Sequence, residues 1–425
     1  MNKRTSSKRK PLTMRTAALS VVKRLHTAGH VAMFAGGCVR DMLMGKRPHD
    51  YDVATSARPD DVIALFRRTQ KVGVQFGVVL AHVGGFSIEV ATFRAESHYA
   101  DGRHPTEVHF TDAREDAIRR DFTINGMFYD PLKREVVDYV GGQKDIQAGL
   151  IRAIGEPQRR FEDDHLRILR AIRFAGRLGF TIDPATWSAM CENVTSIRRI
   201  SPERIREELT AILSHPSRAK AFDDLRACDV LGHLWPDAPA VVPNGDQVHA
   251  LLATLPTKAR FELALTVLLH ALSAEKIEDA CDALRCSNDT KRTVVWLHSN
   301  QDALMNPADV SLADLKLLMA HPAFNDLLML FAAKLRALGQ PTTPYRRILA
   351  RVRDIPPEDV TPPPWVDGHT LESLGVLKGP IYKQVLDKVY YAQLNGDLAD
   401  PPAARAYAED LIEQDRDTPL KGPQI

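Results

Sequence analysis

The feature that most limits the possible folds is a change of hydrophobic period near residue 143 of a 425-residue chain. Before that point, short apolar runs stand between turn residues: Val31–Ala35, Tyr51–Ala54, Val78–Val83 and Phe86–Phe93. Runs of this length, rich in Val, Ile and Phe, predict strands. Gly84-Gly85 between two of them predicts a hairpin. Helices are expected over 15–30, where Ala18, Val21, Val22, Leu25 and Ala28 recur near every 3.6 residues, and over Asp60–Arg68. After residue 143 the strand signals fade, and helices are predicted over 160–178, 184–193, 202–214, 218–229, 247–254, 259–272, 275–285, 378–395 and 402–414. Pro236, Pro239 and Pro243 mark one joint, and Pro356-Pro357 with Pro362-Pro363-Pro364 another.

The expected class is therefore α+β: a small head with a mixed β-sheet and helices, then an elongated all-α neck, body and tail. The boundaries read as a basic disordered segment over 1–14, a head over 15–142, a neck over 143–215, a body over 216–353 and a tail over 354–425. A chain this long exceeds one compact core. Its net charge is only +2, so a nucleic-acid surface has to come from local clustering. Lys3, Arg4, Lys8, Arg9, Lys10 and Arg15 cluster without an acid, which reads first as a solvated tail. No run is long and apolar enough for a membrane span, so no membrane association is expected. The five cysteines have neither zinc-ligand nor CxxC spacing, which points to reduced thiols and a cytoplasmic setting. Nothing in the pattern speaks to oligomeric state.

Chemistry concentrates at a few places. The strand-like Phe34-Ala35 runs into Gly36-Gly37-Cys38-Val39-Arg40-Asp41, a Gly-Gly turn whose bare backbone N–H groups suit a phosphate. Asp50 and Asp52 follow at i and i+2, a spacing that puts both carboxylates on one face of an extended segment. Alone, such a pair is a common solvated turn. Glu89 supplies a third acid on an apolar strand, where an unpaired carboxylate is costly to bury. If the two strands are neighbours, Asp50, Asp52 and Glu89 converge, and such a cluster repels itself unless cations occupy it. Mg²⁺ is the expected cofactor, held by Asp50 and Asp52, where it would activate an attacking hydroxyl and stabilise leaving pyrophosphate. Arg120, in Arg119-Arg120-Asp121-Phe122-Thr123-Ile124-Asn125, is the expected triphosphate contact, because a guanidinium grips phosphate as a planar fork.

A helix is expected over Phe161–Arg173, with Asp164 and Arg167 three apart on its surface and Arg170 and Arg173 continuing the row. The ordinary reading is a surface ion-pair ladder of little energetic weight. The functional reading is a protein template for a base. A carboxylate accepts from an exocyclic amine while an arginine donates to the neighbouring ring nitrogen, which suits CTP and ATP. UTP and GTP would be rejected because their carbonyls would face the carboxylate.

In this order the motifs resemble the class II tRNA nucleotidyltransferases, which comprise bacterial CCA-adding enzymes and the related poly(A) polymerases. The resemblance runs from Phe34 to about Leu213. It rests on Gly36–Asp41, Asp50-Tyr51-Asp52, Arg119–Asn125 and Asp163-Asp164-His165-Leu166-Arg167. It implies that Gly36, Gly37, Arg40 and Arg120 contact the triphosphate, that Asp50 and Asp52 bind Mg²⁺, and that Asp164, Arg167, Arg170 and Arg173 line the nucleotide pocket. It also implies a mobile loop at His98–Pro105, an Glu203–Leu209 element after the base-reading helix, and a tRNA 3′ end as acceptor. Asp163 stands where the family has Glu, and Gly126 where it has Ala. His270-Ala271 lacks the Asp of a phosphohydrolase dyad, so that activity is not expected. CCA addition, poly(A) tailing, CC-only or A-only addition, and non-catalytic RNA binding all remain open, with Glu203–Leu209 and Gly368–Pro380 favouring CCA addition. Arg198, Arg199, Arg204, Arg206, Arg218 and Lys220 are candidates for a stripe along RNA phosphates, and equally for ordinary surface charge.

Overall fold

A computed structural model of the protein describes residues 12–71, 77–99, 105–235, 245–376 and 379–417. The chain divides into two compact units, 1–245 with 283–285 and 246–282 with 286–425. The prolines expected at the first joint, Pro236, Pro239 and Pro243, lie outside the described residues.

The first unit begins with α1 (Met14–Thr27), started by the Thr13 side chain accepting from the Thr16 N–H. Then follow β1 (Ala32–Ala35), α2 (Gly37–Leu43), β2 (Asp52–Thr55), α3 (Pro59–Leu65), β3 (Thr69–Lys71), β4 (Val78–Val83) and β5 (Phe86–Thr92). Next come β6 (Arg94–Tyr99), β7 (Pro105–Phe110), α4 (Ala113–Ile118), β8 (Met127–Asp130), β9 (Glu135–Asp138) and α5 (Gly142–Ala148). Seven strands form one sheet in the order β3-β4-β5-β2-β1-β8-β9. Only β2 and β5 run parallel, aligned Val53 to Val90; the other neighbours are antiparallel. The expected hairpin joins β4 to β5 through Gly84 and Gly85, both at positive φ (60° and 86°), the conformation that a two-residue type I′ turn requires.

Both faces of the central strands β1 and β2 are covered, which is why they read as near-continuous apolar runs, whereas β4 and β5 alternate. On one face Phe34, Val53, Val79, Ala81, Ile88 and Val90 pack with Val21, Val22 and Leu25 of α1. On the other, Met33, Ala35, Ala54, Phe93 and Phe128 pack with Ala113 and Ala117 of α4. Tyr51 lies edge-on to Phe34 in the first layer, with ring centroids 5.2 Å apart. Asp52, the next residue and the first of β2, is thereby aimed toward the second face. The family-implied loop at His98–Pro105 is flanked by paired strands: β6 and β7 form a separate antiparallel ribbon, and Asp101-Gly102-Arg103-His104 lie outside the described residues.

One carboxylate organises the turn after β9. Asp138 Oδ1 accepts from the N–H groups of Val140 (3.1 Å), Gly141 (2.8 Å) and Gly142 (3.1 Å), and Oδ2 from that of Gln143 (2.9 Å). Burial alone would raise its pKa, but these donors hold it below the usual carboxylate range. Asp138→Ala is expected to destabilise the unit by about 2–4 kcal/mol by orphaning these donors. A depressed carboxylate stabilises the fold above its unfolded pKa and loses that contribution as pH falls through its folded value. Denaturant titrations between pH 6 and 3 should therefore show the gap between parent and variant closing toward the acid end. A gap independent of pH would contradict this.

After α5, β10 (Leu150–Ile151) pairs in parallel with β11 (Thr181–Ile182). Helices α6 (Pro157–Asp163), α7 (Arg167–Leu178), α8 (Pro184–Glu192), α9 (Pro202–Leu213), α10 (Arg218–Ala227) and α11 (Val230–Leu234) complete the first unit. The single helix expected over 160–178 is two, broken at Asp164, whose backbone is extended (φ −147°, ψ 104°). Its carboxylate accepts from the Leu166 N–H at 3.1 Å, the two-residue reach of an Asx turn. Gly126, which departs from the family pattern, has a local reason: a Cβ there would lie 2.7 Å from Val140 Cγ2 and 2.9 Å from Ile154 Cδ1.

The second unit is helical, and among its described residues no strand occurs. One core gathers Leu297, Leu315, Leu327, Phe331 and Ile348; another gathers Leu371, Val385, Val389, Ala404, Ala408 and Leu411. Among the described residues no single helix is long and apolar enough to cross a membrane.

Candidate active site

The parallel pairing of β2 with β5 builds the site. Val53 aligns with Val90 on the α1 face, so the preceding pair, Asp52 and Glu89, shares the α4 face. Together they line a cavity of about 210 Å³ whose other walls include Ala35, Ala54, Ala91, Arg94, Arg119 and Arg120. Two carboxylates thus face three guanidinium groups in one hollow.

Burial, then the charges of Glu89 and Asp50, pushes Asp52 up to about 7, against the pull of Arg120. Burial, then Asp50, also raises Glu89, while Arg120 and Arg94 lower it. The three acids therefore feel one another, as the sequence suggested. Their placement is looser than expected, however. Asp50 is exposed, just before β2, and among the described residues no three His, Cys, Asp or Glu side chains form a ready-made metal cage. Magnesium does not need one, because it is usually held by one or two carboxylates, with substrate phosphates and water completing the shell. A pair of hard oxygen donors whose mutual repulsion the protein leaves partly unrelieved fits such an ion.

Gly36 sits at φ 70° at the end of β1, and a Cβ there would come within 3.1 Å of Arg120 Nη1. The Gly-Gly turn therefore lies directly against Arg120. Arg120 is itself well fixed. Its Nε and Nη2 donate to Asp116 Oδ2 (3.1 and 2.9 Å), its Nη1 donates to the Asn125 carbonyl (3.4 Å), and it stacks over Phe128 at 5.1 Å. Three of its five N–H groups are engaged, which leaves two for a ligand. Arg40 is less open than expected: it donates to Asp41 (2.7 and 2.9 Å) and through Nη1 to Asn125 Oδ1 (2.8 Å). Gly37, at the start of α2, lies beside this group, with a Cβ position 3.6 Å from Arg40 Nη2.

Asn125 continues a polar chain. Its Nδ2 donates to Asp121 Oδ1 (3.2 Å), and Asp121 Oδ2 receives Arg170 Nε and Nη2 at 2.9 and 2.6 Å. Arg173 then pairs with Glu208 of α9 at 2.7 Å, and Arg170 reaches the same carboxylate at 3.8 Å. The ring of Phe174 lies beneath Arg40, Arg170 and Arg173, at 5.5, 5.4 and 4.6 Å. One ladder from Asp41 to Glu208 thus joins α2 to α7 and α9.

The expected Asp164–Arg167 pair does not form. Asp164 is paired with Arg204 of α9 at 2.9 Å. Arg167 is only 7% exposed, with Nη1 donating to the Arg160 carbonyl (2.9 Å) and Nη2 to that of Arg119 (3.2 Å). The break at Asp164 removes the helical i,i+3 relation on which their direct contact depended. Asp164, Arg167, Arg170 and Arg173 do not line the Asp52–Glu89 cavity, although Arg167 reaches its wall through the Arg119 carbonyl. Arg218 leaves the candidate RNA stripe: it is 1% exposed and donates to the Leu213 carbonyl at 2.7 Å. Arg94, Arg119, Asp116, Arg204 and Glu208 were not foreseen in these places. A signal existed for Asp116, which stands three and four residues before two arginines, at the spacing of one helical turn.

Residues 32–152 match the poly(A) polymerase head domain, and residues 179–241 match the probable RNA- and SrmB-binding site of polymerase A. The CCA-adding enzyme of Lactobacillus gasseri is 34% identical over 395 residues, covering 92% of this chain and 95% of its own. The crystal structure of the Bacillus stearothermophilus CCA-adding enzyme in complex with CTP is 29% identical, covers 96% of this chain and 98% of its own, and superposes with a TM-score of 0.78. The Thermotoga maritima CCA-adding enzyme complexed with tRNA is 22% identical, covers 95% and 97%, and shares the fold with a TM-score of 0.65.

Proposed function

The chain belongs to the CCA-adding enzymes of the tRNA nucleotidyltransferase family, and on that premise we propose that it adds CMP and AMP from CTP and ATP to the 3′ end of tRNA without a nucleic-acid template. The observation that carries the reading is the cavity in which Asp52 and Glu89 face Arg94, Arg119 and Arg120. Acids for a cation and arginines for a triphosphate within one small hollow suit phosphoryl chemistry, where catalysis is mostly positioning and charge stabilisation.

In this proposal Arg120, backed by the Gly36-Gly37 turn, holds the triphosphate, and Arg94 and Arg119 add positive charge beside it. Asp52, with Asp50 at the rim and Glu89 opposite, holds Mg²⁺. The ion when bound would polarise the α-phosphoryl group, favour the attacking hydroxylate and offset the charge of departing pyrophosphate. Asp164 and Arg167 remain the proposed readers of the base. Asp164 keeps an accepting carboxylate steadied by Arg204, while Arg167 would have to exchange a carbonyl partner for the base. Arg170 and Arg173 contribute as part of the ladder that sets α7 against the head. We also propose the division into head, neck, body and tail, and a cytoplasmic setting supported by five free cysteines.

The test is incubation with tRNA lacking its 3′ CCA, Mg²⁺ and labelled CTP or ATP, with products sized on a gel. Addition of two C residues and one A is the expected result. Long A tails without C would replace the proposal with poly(A) tailing. Absence of incorporation at every Mg²⁺ concentration would reduce the protein to RNA binding.

A further inference from the structure

One buried carboxylate outside the reacting pair organises the whole positive side of the cavity. Asp116 of α4 is 1% exposed. Its Oδ1 accepts from Arg119 Nε at 2.9 Å and lies 2.8 Å from Arg119 Nη2; its Oδ2 accepts from Arg120 Nε and Nη2 at 3.1 and 2.9 Å. Oδ1 also accepts the backbone N–H of Arg94 at 3.2 Å. Each oxygen is therefore committed to a different guanidinium, and the backbone of the third cavity arginine is tied to the same group.

We propose that Asp116 is a positioning residue for the nucleotide: by clamping Arg119 and Arg120 side by side and anchoring Arg94, it presents a preformed cationic wall to the triphosphate. The inference rests on the nucleotidyltransferase reading of this site. Both guanidinium groups are gripped through Nε and Nη2, the edge away from their other terminal nitrogen. That grip fixes the plane of each fork and leaves N–H groups of Arg120 to meet phosphate oxygens. The carboxylate also offsets part of the repulsion among three closely placed cations. Without it the arginines would separate, and their ordering would have to occur on binding. Burial works against the Asp116 charge, but Arg120 and Arg119 overcome it and hold its carboxyl below the usual range, so the clamp is ionised at neutral pH.

Asp116→Asn keeps the shape but provides one acceptor where two are used, and turns an N–H₂ toward a guanidinium. It is expected to weaken CTP and tripolyphosphate binding by about tenfold or more in calorimetric titrations with Mg²⁺. In turnover the KM for CTP and ATP should rise by the same factor, with kcat changed less than about threefold and the KM for tRNA unchanged. Asp116→Glu keeps the charge but displaces it by a methylene, and should weaken binding similarly if the Asn variant does not fold. A double-mutant cycle with Arg120→Lys separates positioning from general support. The combined loss should fall short of the product of the single losses, because both changes disable the same fork. Unaltered tripolyphosphate affinity in either folded variant, or losses that multiply in full, would overturn the proposal. Binding is read without catalysis, so a failure of the functional reading would appear separately, as absence of incorporation by the unaltered protein.

Discussion

Asp52→Ala is expected to lower nucleotide incorporation by about a thousandfold or more while leaving the protein folded and able to bind tRNA. The argument starts from an unfavourable contact. Asp52 is largely buried beside Glu89 on the neighbouring parallel strand, and its pKa is pushed up to about 7 from 3.8. A carboxylate whose folded pKa is raised destabilises the fold once pH exceeds its unfolded value, and that cost reaches its full size above about pH 7. Asp52→Asn, which cannot ionise, is therefore expected to stabilise the metal-free protein at pH 8 by about 1–3 kcal/mol and to do so less at pH 5. Mg²⁺ should raise the melting temperature of the parent and not that of the variant, because a ligand stabilises only the fold it binds. A residue that impairs folding yet is needed for turnover has a chemical role. Normal turnover by the Ala variant, or a fall in the stability of the Asn variant at pH 8, would remove the metal-site reading.

What the sequence made legible here, it made legible through period and turn chemistry. The β4–β5 hairpin follows from Gly84-Gly85, because few other residue pairs accept two positive φ values in succession. The meeting of Asp52 and Glu89 was readable only in part. Their strands were visible, but the parallel register that aligns them depends on α3, β3 and β4 lying between them in the chain. Strands β8 and β9 were not expected because they follow Arg119–Asn125, a segment that reads as a helix end. The break between α6 and α7 escaped for a different reason. The apolar period runs through it, with Phe161, Leu169 and Ile172 all buried. Period cannot register a single side chain that competes with the helix for a backbone N–H, as Asp164 does at Leu166. Asp163-Asp164 directly before an apolar run was the available cue to a new helix start. The tail of the network, from Asp121 through Arg170 to Glu208, joins residues 49 and 38 positions apart, and neither charge pattern nor spacing within one helix announces such pairs.

That break changes how base selection should be tested, and the expected result is a change of nucleotide choice in Asp164→Asn. Arg167→Ala is a poor probe. The side chain is buried and donates to the Arg160 and Arg119 carbonyls, so its removal orphans two acceptors and is expected to cost about 2–4 kcal/mol of stability along with activity. Asp164 is a cleaner position: its side chain is 20% exposed, and its ion-pair partner Arg204 can keep an oxygen acceptor when the residue becomes Asn. A carboxylate can only accept, which matches the exocyclic amines of cytosine and adenine and repels the carbonyls of uracil and guanine. An amide can turn its N–H₂ toward such a carbonyl. Asp164→Asn is therefore expected to lose CTP and ATP incorporation by about a hundredfold while UTP incorporation rises relative to CTP, since a mispaired buried polar group costs about 2–3 kcal/mol. Single-turnover incorporation of each of the four nucleotides into tRNA lacking its 3′ end measures this directly, with Asp164→Glu as a variant that retains the accepting character. If the Asn variant kept the parent's preference for CTP and ATP, the base would have to be read by other groups, and the nearest cationic set on the same helix is Arg170 and Arg173, already tied to Asp121 and Glu208.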